Sequence, residues 1–343
     1  LRHEGFSGSL STVKKYISTH KDLLPPKHRP VEGLGTRGRR YTTEPGTIFQ
    51  MDWGFVDVET ESGGGLRAAC FAMICHYCGE CYLEFFPNAR QENLFIGMIH
   101  AFRFLGVPAY VLTDNMKSVV IGRTLERHPI WQHDYASFMQ TIGFQTKLCK
   151  PRHPYTKGKV ERLIRYAKDN LVSNINVNNL NDLNAASREW CNKQNSICHA
   201  GCDLVPEEVH STKCSRNIHP LQEKAELMNY LCPIRRISFD GFVTYEGRRF
   251  GVPGWYAKNC VRVCREYDTL TIYSEDLKKV LRTYAMTWSR QDSCCSDQFS
   301  GKEPEELPTM PVRTVVHLEE RKSFENEDFF KKFDFTKEGP KDE

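Results

Sequence analysis

A chain of 343 residues is longer than one typical domain, so two or three folded units joined by linkers are expected. With 40% hydrophobic and 26% charged residues it can bury a core, which excludes a mainly disordered chain. No run approaches the roughly 18 apolar residues of a membrane span. The net charge of +4 is mild but unevenly spread: residues 1–40 hold nine Lys/Arg against three Asp/Glu, and residues 300–343 hold eight against twelve. Fourteen irregularly spaced cysteines, without a signal peptide, fit reduced thiols in a cytoplasmic protein better than a disulfide framework. A chain that opens on Leu1, with what reads as the tail end of a structure, is expected to be a fragment or a truncated reading frame.

In chain order, residues 1–24 place a Gly-Ser turn before a short helix with Leu10, Val13, Tyr16 and Ile17 on one face and Ser9 or Ser11 as N-cap. That is the pattern of a helix-turn-helix remnant, although any helical hairpin shares it. Residues 25–46, rich in Pro, Gly and Arg, read as a linker. From Thr47 a strand runs to about Asp57, and after the Ser-Gly-Gly-Gly turn at 62–65 a long hairpin pattern runs through Arg67–Phe86. Helical periodicity covers 91–105. A short strand at Ala109–Thr113, a helix near 131–141, a strand at Gln145–Leu148 and a helix from about Gly158 to Leu171 follow.

Three strands, then helix, strand, helix, strand and helix is the RNase H-like order, an α/β core with a mixed five-stranded sheet over residues 47–175. A helical connector is expected over 176–233, and a small β-barrel over 234–290, with turn signals at Asp240-Gly241 and Glu246-Gly247. The acidic, weakly periodic segment 291–343 reads as a flexible tail.

Three carboxylates stand out within the core. Asp52 interrupts the apolar strand Ile48–Gly54, where an unpaired charge is costly and calls for a cation or a hydrogen-bonded partner. Asp114 ends the apolar run Val107–Thr113, and strand termini gather functional groups. Glu161 lies on a helix whose inner stripe is Val160, Leu163, Ile164, Ala167 and Leu171. Singly, each has an ordinary structural reading; together they fit a carboxylate cluster on two strands and a helix. Between Lys147 and Lys168 eight Lys/Arg accompany only one acid, Glu161, which suits a polyphosphate partner or, more plainly, a solvated basic face.

The strings Phe49-Gln50-Met51-Asp52-Trp53-Gly54, Leu112-Thr113-Asp114-Asn115-Met116-Lys117 and Lys157-Gly158-Lys159-Val160-Glu161-Arg162 resemble, in order and spacing, the three catalytic blocks of IstA-type insertion-sequence transposases. Gly5–Ile17 is similar to the end of that family's second helix-turn-helix, and Val243–Pro253 to the start of its C-terminal barrel. The resemblance covers about 1–285. It implies a DDE-type transposase and integrase that cleaves transposon ends and joins them to target DNA, acting as a homo-oligomer on DNA with an AAA+ helper ATPase. Asp52, Asp114 and Glu161 then hold two Mg²⁺ ions, with Mn²⁺ as a substitute, and Asp52 bridges the pair. Lys117, Lys157, Lys159, Arg162 and Arg165 are the expected DNA-binding residues. A first helix-turn-helix and a counterpart for the tail after 290, including Cys294-Cys295, are missing from the resemblance.

Two other functions stay open at this stage: a DNA-binding relic without catalysis, and a nuclease that does not join ends. Cys75-x2-Cys78-x2-Cys81, with His76 inside it, has the spacing of half a zinc site. It falls in a predicted hairpin and lacks a second paired set, so reduced thiols are the expected reading.

Overall fold

The computed structural model describes residues 7–20, 43–60, 64–126, 128–149, 157–175, 177–199, 203–266, 269–286 and 291–302. The chain divides between Thr42 and Thr43 into two units. In the first, helix α1 (Leu10–Thr19) begins at Ser9, whose side chain accepts from the Thr12 N–H, so Ser9 is the N-cap. Tyr16 and Ile17, on its expected apolar face, are exposed. The rest of the expected helix-turn-helix remnant, most of the linker and the tail beyond residue 302 lie outside the described residues.

The second unit starts with β1 (Ile48–Glu59), β2 (Gly65–Cys75) and β3 (Cys81–Phe86), followed by α2 (Gln91–Leu105) and β4 (Tyr110–Thr113). A hairpin that the sequence patterns do not announce, β5 (Val120–Arg123) with β6 (Pro129–Trp131), precedes α3 (His133–Ile142), β7 (Gln145–Leu148) and α4 (Gly158–Asn170). The expected mixed five-stranded sheet is present, in the order β3-β2-β1-β4-β7. β1 to β3 pair antiparallel, whereas β4 and β7 join parallel to β1.

Side chains alternate across a strand, so the two faces of β1 build two different cores. Phe49 and Met51 pack with Phe71, Met73 and the inner faces of α2 and α3, including Leu94, Met98, Tyr135 and Phe138. Val56 and Val58, on the face that carries Gln50, Asp52 and Gly54, pack with Ala72, Val160, Leu163, Ile164 and Ala167. Helix α4 is thereby fixed on the face of β1 that holds Asp52. Each of these larger apolar side chains contributes about 1.5–3 kcal/mol when fully buried.

The segment that follows holds α5 (Leu180–Ser196), α6 (Pro206–Thr212), a 3₁₀ turn Cys214–Asn217 and α7 (Leu227–Leu231). Helix α5 covers the edge strand β3 with a polar stripe. Asn184 bonds both the N–H and C=O of Phe85, Ser187 donates to Leu83 O, and Asn195 bonds both backbone groups of Cys81. An edge that would otherwise invite pairing with another chain is satisfied internally. Pro45 and Gly46, read as the end of the linker, are seated against the connector. The Asn217 amide donates to Pro45 O, and Gly46, at φ 71°, lies so close to Cys214 O that a side chain has no room.

Six further strands follow: β8 (Ile234–Arg236), β9 (Phe242–Tyr245), β10 (Arg248–Gly251), β11 (Cys260–Glu266), β12 (Thr269–Ser274) and β13 (Val280–Ala285). The turn signals hold, since Gly241, Glu246 and Gly247 all take positive φ. The expected small β-barrel is not confirmed: among the described residues these strands form a four-stranded sheet β13-β12-β11-β8 and a ribbon β10-β9. Val243, Phe250, Val261, Val263, Leu270 and Ile272 still share one core between them. The segment 291–302 departs from the flexible tail expected there: Asp297 accepts from Trp255 Nε1 and pairs with Arg282, the Gly251 N–H donates to Ser293 O, and Gln298 is buried. No helix among the described residues is long and apolar enough to cross a membrane.

Candidate active site

The parallel pairing of β1 and β4 runs Ile48 to Tyr110, Phe49 to Val111 and Gln50 to Leu112. Continued by two residues, that register brings Asp114, which directly follows β4, towards Asp52 on β1, since neighbouring strands lie about 4.8 Å apart. Such a pair repels itself unless a cation intervenes, and the cation is Lys157. Its Nζ lies 2.5 Å from Asp52 Oδ1 and 3.6 Å from Asp114 Oδ2. The Lys157 side chain is only 7% exposed and that of Asp52 18%, whereas Asp114 is 53% exposed and forms the open side of the site. Asp52 Oδ1 also accepts from the Trp53 N–H at 2.8 Å. Burial pushes the Asp52 carboxyl up; Lys157 opposes the rise and the neighbouring Asp114 adds to it.

Two features of β1 determine where α4 begins. Gln50 is buried, and its Oε1 accepts from the Val160 N–H at 3.1 Å, satisfying a donor of the first helical turn from the adjacent strand. Gly54 faces Ile164 so closely that an added Cβ would stand 2.5 Å from Ile164 Cγ2. Glu161 is exposed, in the first turn of α4. It lies one helical turn beyond Lys157, and residues four apart share a helix face. Lys157, the N-cap of α4, thus carries Asp52 and Asp114 on its buried ammonium, whereas Glu161 follows in the first turn with its side chain exposed. Asp57, five residues after Asp52, is on the opposite face of β1 and pairs with Arg67 at 3.9 Å.

Two of the expected DNA-binding lysines differ from that expectation. Lys157 is buried between carboxylates, and Lys159 donates to His76 O at 2.5 Å. The basic stretch cannot reveal this, because the packing of α4 on the sheet decides which of its charges point inward. His76 itself bonds Thr43 Oγ1, and burial, then the Lys159 charge, pushes its pKa down to about 4. Lys117, Arg162 and Arg165 remain exposed.

Asp52, Trp53, Asp114, Met116 and Lys117 line a cleft of about 550 Å³ together with Arg90 and Gln91 at the start of α2. A second cleft of about 560 Å³ extends from Arg90 and Gln91 to Arg235 and the β9–β10 turn, where Arg235 pairs with Glu92 at 2.7 Å. It contains no carboxylate pair held by a shared cation, so the first is the candidate site. The sequence patterns single out neither Gln50 nor Arg90. A buried amide two residues before Asp52, on the same face of an apolar strand, is the available signal for Gln50; nothing local marks Arg90.

No protein-family model matches the chain. It is 28% identical over 260 residues to a putative transposase for insertion sequence element IS5376 of Geobacillus stearothermophilus, covering 75% of this chain and 61% of that protein. It is 27% identical over 293 residues to the transposase for insertion sequence element IS232 of Bacillus thuringiensis subsp. berliner, covering 82% and 66%. With the transposase for insertion sequence element IS21 of Pseudomonas aeruginosa it shares 24% over 276 residues, covering 79% and 67%. Insertion-sequence transposases are homologues of this chain. It spans less than two thirds of the length of the first two relatives, 61% and 66%. Among solved structures, a simian T-cell lymphotropic virus intasome in complex with a PP2A regulatory subunit aligns with TM-score 0.38 and 15% identity, covering 71% of this chain and 77% of that one. The HTLV-2 integrase catalytic core domain in complex with magnesium aligns with TM-score 0.34 and 14% identity, covering 49% and 97%. The sheet order, and not these alignments, identifies the fold.

Proposed function

We propose that the chain carries the catalytic part of a DNA transposase, a polynucleotidyl transferase that cuts the ends of a mobile element and joins them to target DNA at Asp52, Asp114 and Glu161. One observation carries this reading. In a chain whose homologues are insertion-sequence transposases, a carboxylate on β1 and one at the end of its parallel neighbour β4 share one buried cation. The donor set suits Mg²⁺, which takes hard carboxylate oxygens and keeps room for water and phosphate. Asp52 and Asp114 already hold a positive charge, and Glu161 offers a third, exposed carboxylate on the neighbouring helical turn. Two such ions, when bound, activate the attacking oxygen and stabilise the leaving one.

The protein's own groups prepare that chemistry. The Trp53 N–H fixes Asp52 Oδ1, and Gln50 holds the first turn of α4, with Glu161, to the strand that carries Asp52. Lys157 neutralises the carboxylates, so the pair is assembled before DNA arrives. Lys117, Arg90, Arg162 and Arg165 supply exposed positive charge for backbone phosphates, a contact that positions DNA without reading its sequence. The run of clefts past Arg90 leads from the carboxylates towards the C-terminal β strands, and it offers DNA a continuous track. An AAA+ helper ATPase and a homo-oligomer on DNA belong to the same proposal, as does a cytoplasmic site of action.

The test is Mg²⁺-dependent cleavage of labelled element-end DNA and its joining to a plasmid. Asp52→Asn, Asp114→Asn and Glu161→Gln should each abolish both reactions while DNA affinity persists or rises, because the basic surface remains and a repulsive charge is lost. Wild-type rates in the Glu161→Gln variant, with Asp52→Asn inactive, would show that the third carboxylate lies elsewhere. End cleavage without joining in the wild-type chain would favour a nuclease.

A further inference from the structure

At the far end of β2 the fold assembles a second cluster from distant parts of the chain. Cys75 ends the strand, Cys78 lies in the turn to β3, His210 lies in α6 and Cys214 opens the 3₁₀ turn that follows. The three sulfurs and one ring nitrogen all lie within 4.8 Å of one another. Cys75 Sγ is 3.9 Å from Cys214 Sγ, and Cys78 Sγ is 3.3 Å from His210 Nδ1. Tetrahedral zinc with ligand bonds of ~2.3 Å to sulfur and ~2.0 Å to nitrogen requires edges of about 3.8 Å and 3.5 Å. We propose that Cys75, Cys78, His210 and Cys214 form a structural zinc site that clamps the β2–β3 turn to the helical connector.

Details around the cluster fit this role. His210 Nε2 is 2.8 Å from Leu105 O, so in the neutral ring Nε2 carries the proton and Nδ1 presents its lone pair to the cluster; metal-binding histidines are commonly oriented this way. The Glu80 N–H donates to Cys78 Sγ at 3.5 Å, which favours the thiolate that binds metal. All three cysteines are at most 3% exposed, and four protein ligands leave no open coordination position, as in sites that hold structure rather than perform catalysis. Glu80 Oε2 lies 2.9 Å from His210 Nδ1, so this carboxylate has to turn aside for Nδ1 to reach an ion.

Spacing along the chain argues against zinc only because the second half of the site is far from the first. That half is His210-x3-Cys214, four residues apart on the connector. Cys81, which completes the apparent triplet in the sequence, bonds Asn195 instead. The turn that holds Cys75 and Cys78 also presents His76 O to Lys159 of α4, which ties the clamp to the helix that carries Glu161.

Zinc is to be measured by elemental analysis in the full chain purified without chelator, and cobalt is then exchanged into it. One zinc per chain is expected, together with a thiolate-to-cobalt charge-transfer band and the intense visible bands of tetrahedral cobalt. A strong chelator should release the metal, open three thiols to alkylation and lower the melting temperature by on the order of 10 °C. Cys75→Ser with Cys214→Ser should lose the zinc, and Cys81→Ser should keep it. The wild-type metal content and alkylation pattern decide the matter even where the double variant does not fold. A chain without zinc and without the cobalt charge-transfer band, a disulfide between Cys75 and Cys214, or zinc retained by the double variant would each overturn the proposal.

Discussion

Replacing Lys157 by alanine removes the cation that Asp52 and Asp114 share and leaves two carboxylates facing each other, one of them largely buried. Breaking a buried ion pair from one side costs about 3–5 kcal/mol. Asp114 is 53% exposed and can be hydrated, which points to the lower end, about 3 kcal/mol. In a unit of this size each kcal/mol lowers the melting temperature by roughly 2–4 °C, so the variant should melt roughly 6–12 °C below the wild type in chelator. The ammonium and a divalent ion need the same oxygen atoms, so removing the ammonium should strengthen ion binding. Mg²⁺ at about 100 times its dissociation constant returns about 2.7 kcal/mol, nearly the whole loss. Thermal melts of wild type, Lys157→Ala and Lys157→Met, with and without Mg²⁺, test this. Methionine keeps the aliphatic stem and isolates the charge. If Lys157→Ala melts within about 2 °C of the wild type in chelator, or if Mg²⁺ stabilises both proteins equally, Lys157 is not the counterion of this site.

Gly54→Ala should destabilise the unit by about 1–3 kcal/mol in urea melts, because its new methyl enters the space of Ile164 Cγ2. A second substitution, Ile164→Ala, should recover part of that loss in the Gly54→Ala background while being harmful alone; no recovery would place the strain elsewhere. DNA binding should weaken steeply with salt, and Arg90→Ala, Lys117→Ala, Arg162→Ala and Arg165→Ala should each flatten the slope of log K against log salt by about one unit. Lys159→Ala, whose ammonium is engaged by His76 O, should leave the slope unchanged.

Much of the α/β core is legible along the chain because local backbone geometry writes itself into local patterns. Helix α2 runs from Gln91 to Leu105, as its 3.6-residue periodicity predicts, and β1, β2 and the strand before Asp114 follow from apolar runs closed by turn residues. Asp52 and Asp114 can be singled out for the same reason, since a carboxylate within or at the end of an apolar strand conflicts with its surroundings. The C-terminal strands are also visible through their turns, at Gly241 and Gly247, but whether they close into a barrel depends on which strands meet, and a pattern of alternation does not state that.

The identity of each charge's partner is settled only by the tertiary structure. Lys157 and Arg162 look alike in a basic stretch, yet one is drawn into a carboxylate pair because α4 docks on the Asp52 face of β1, and the other stays in water. Cys75 and Cys78 meet His210 and Cys214 only because the connector folds back across the end of β2. The spacing of side chains along a helix or strand is a property of a few neighbouring residues and can be read from them. Charge compensation and metal coordination depend on surfaces brought together by packing, and no window of sequence contains both sides.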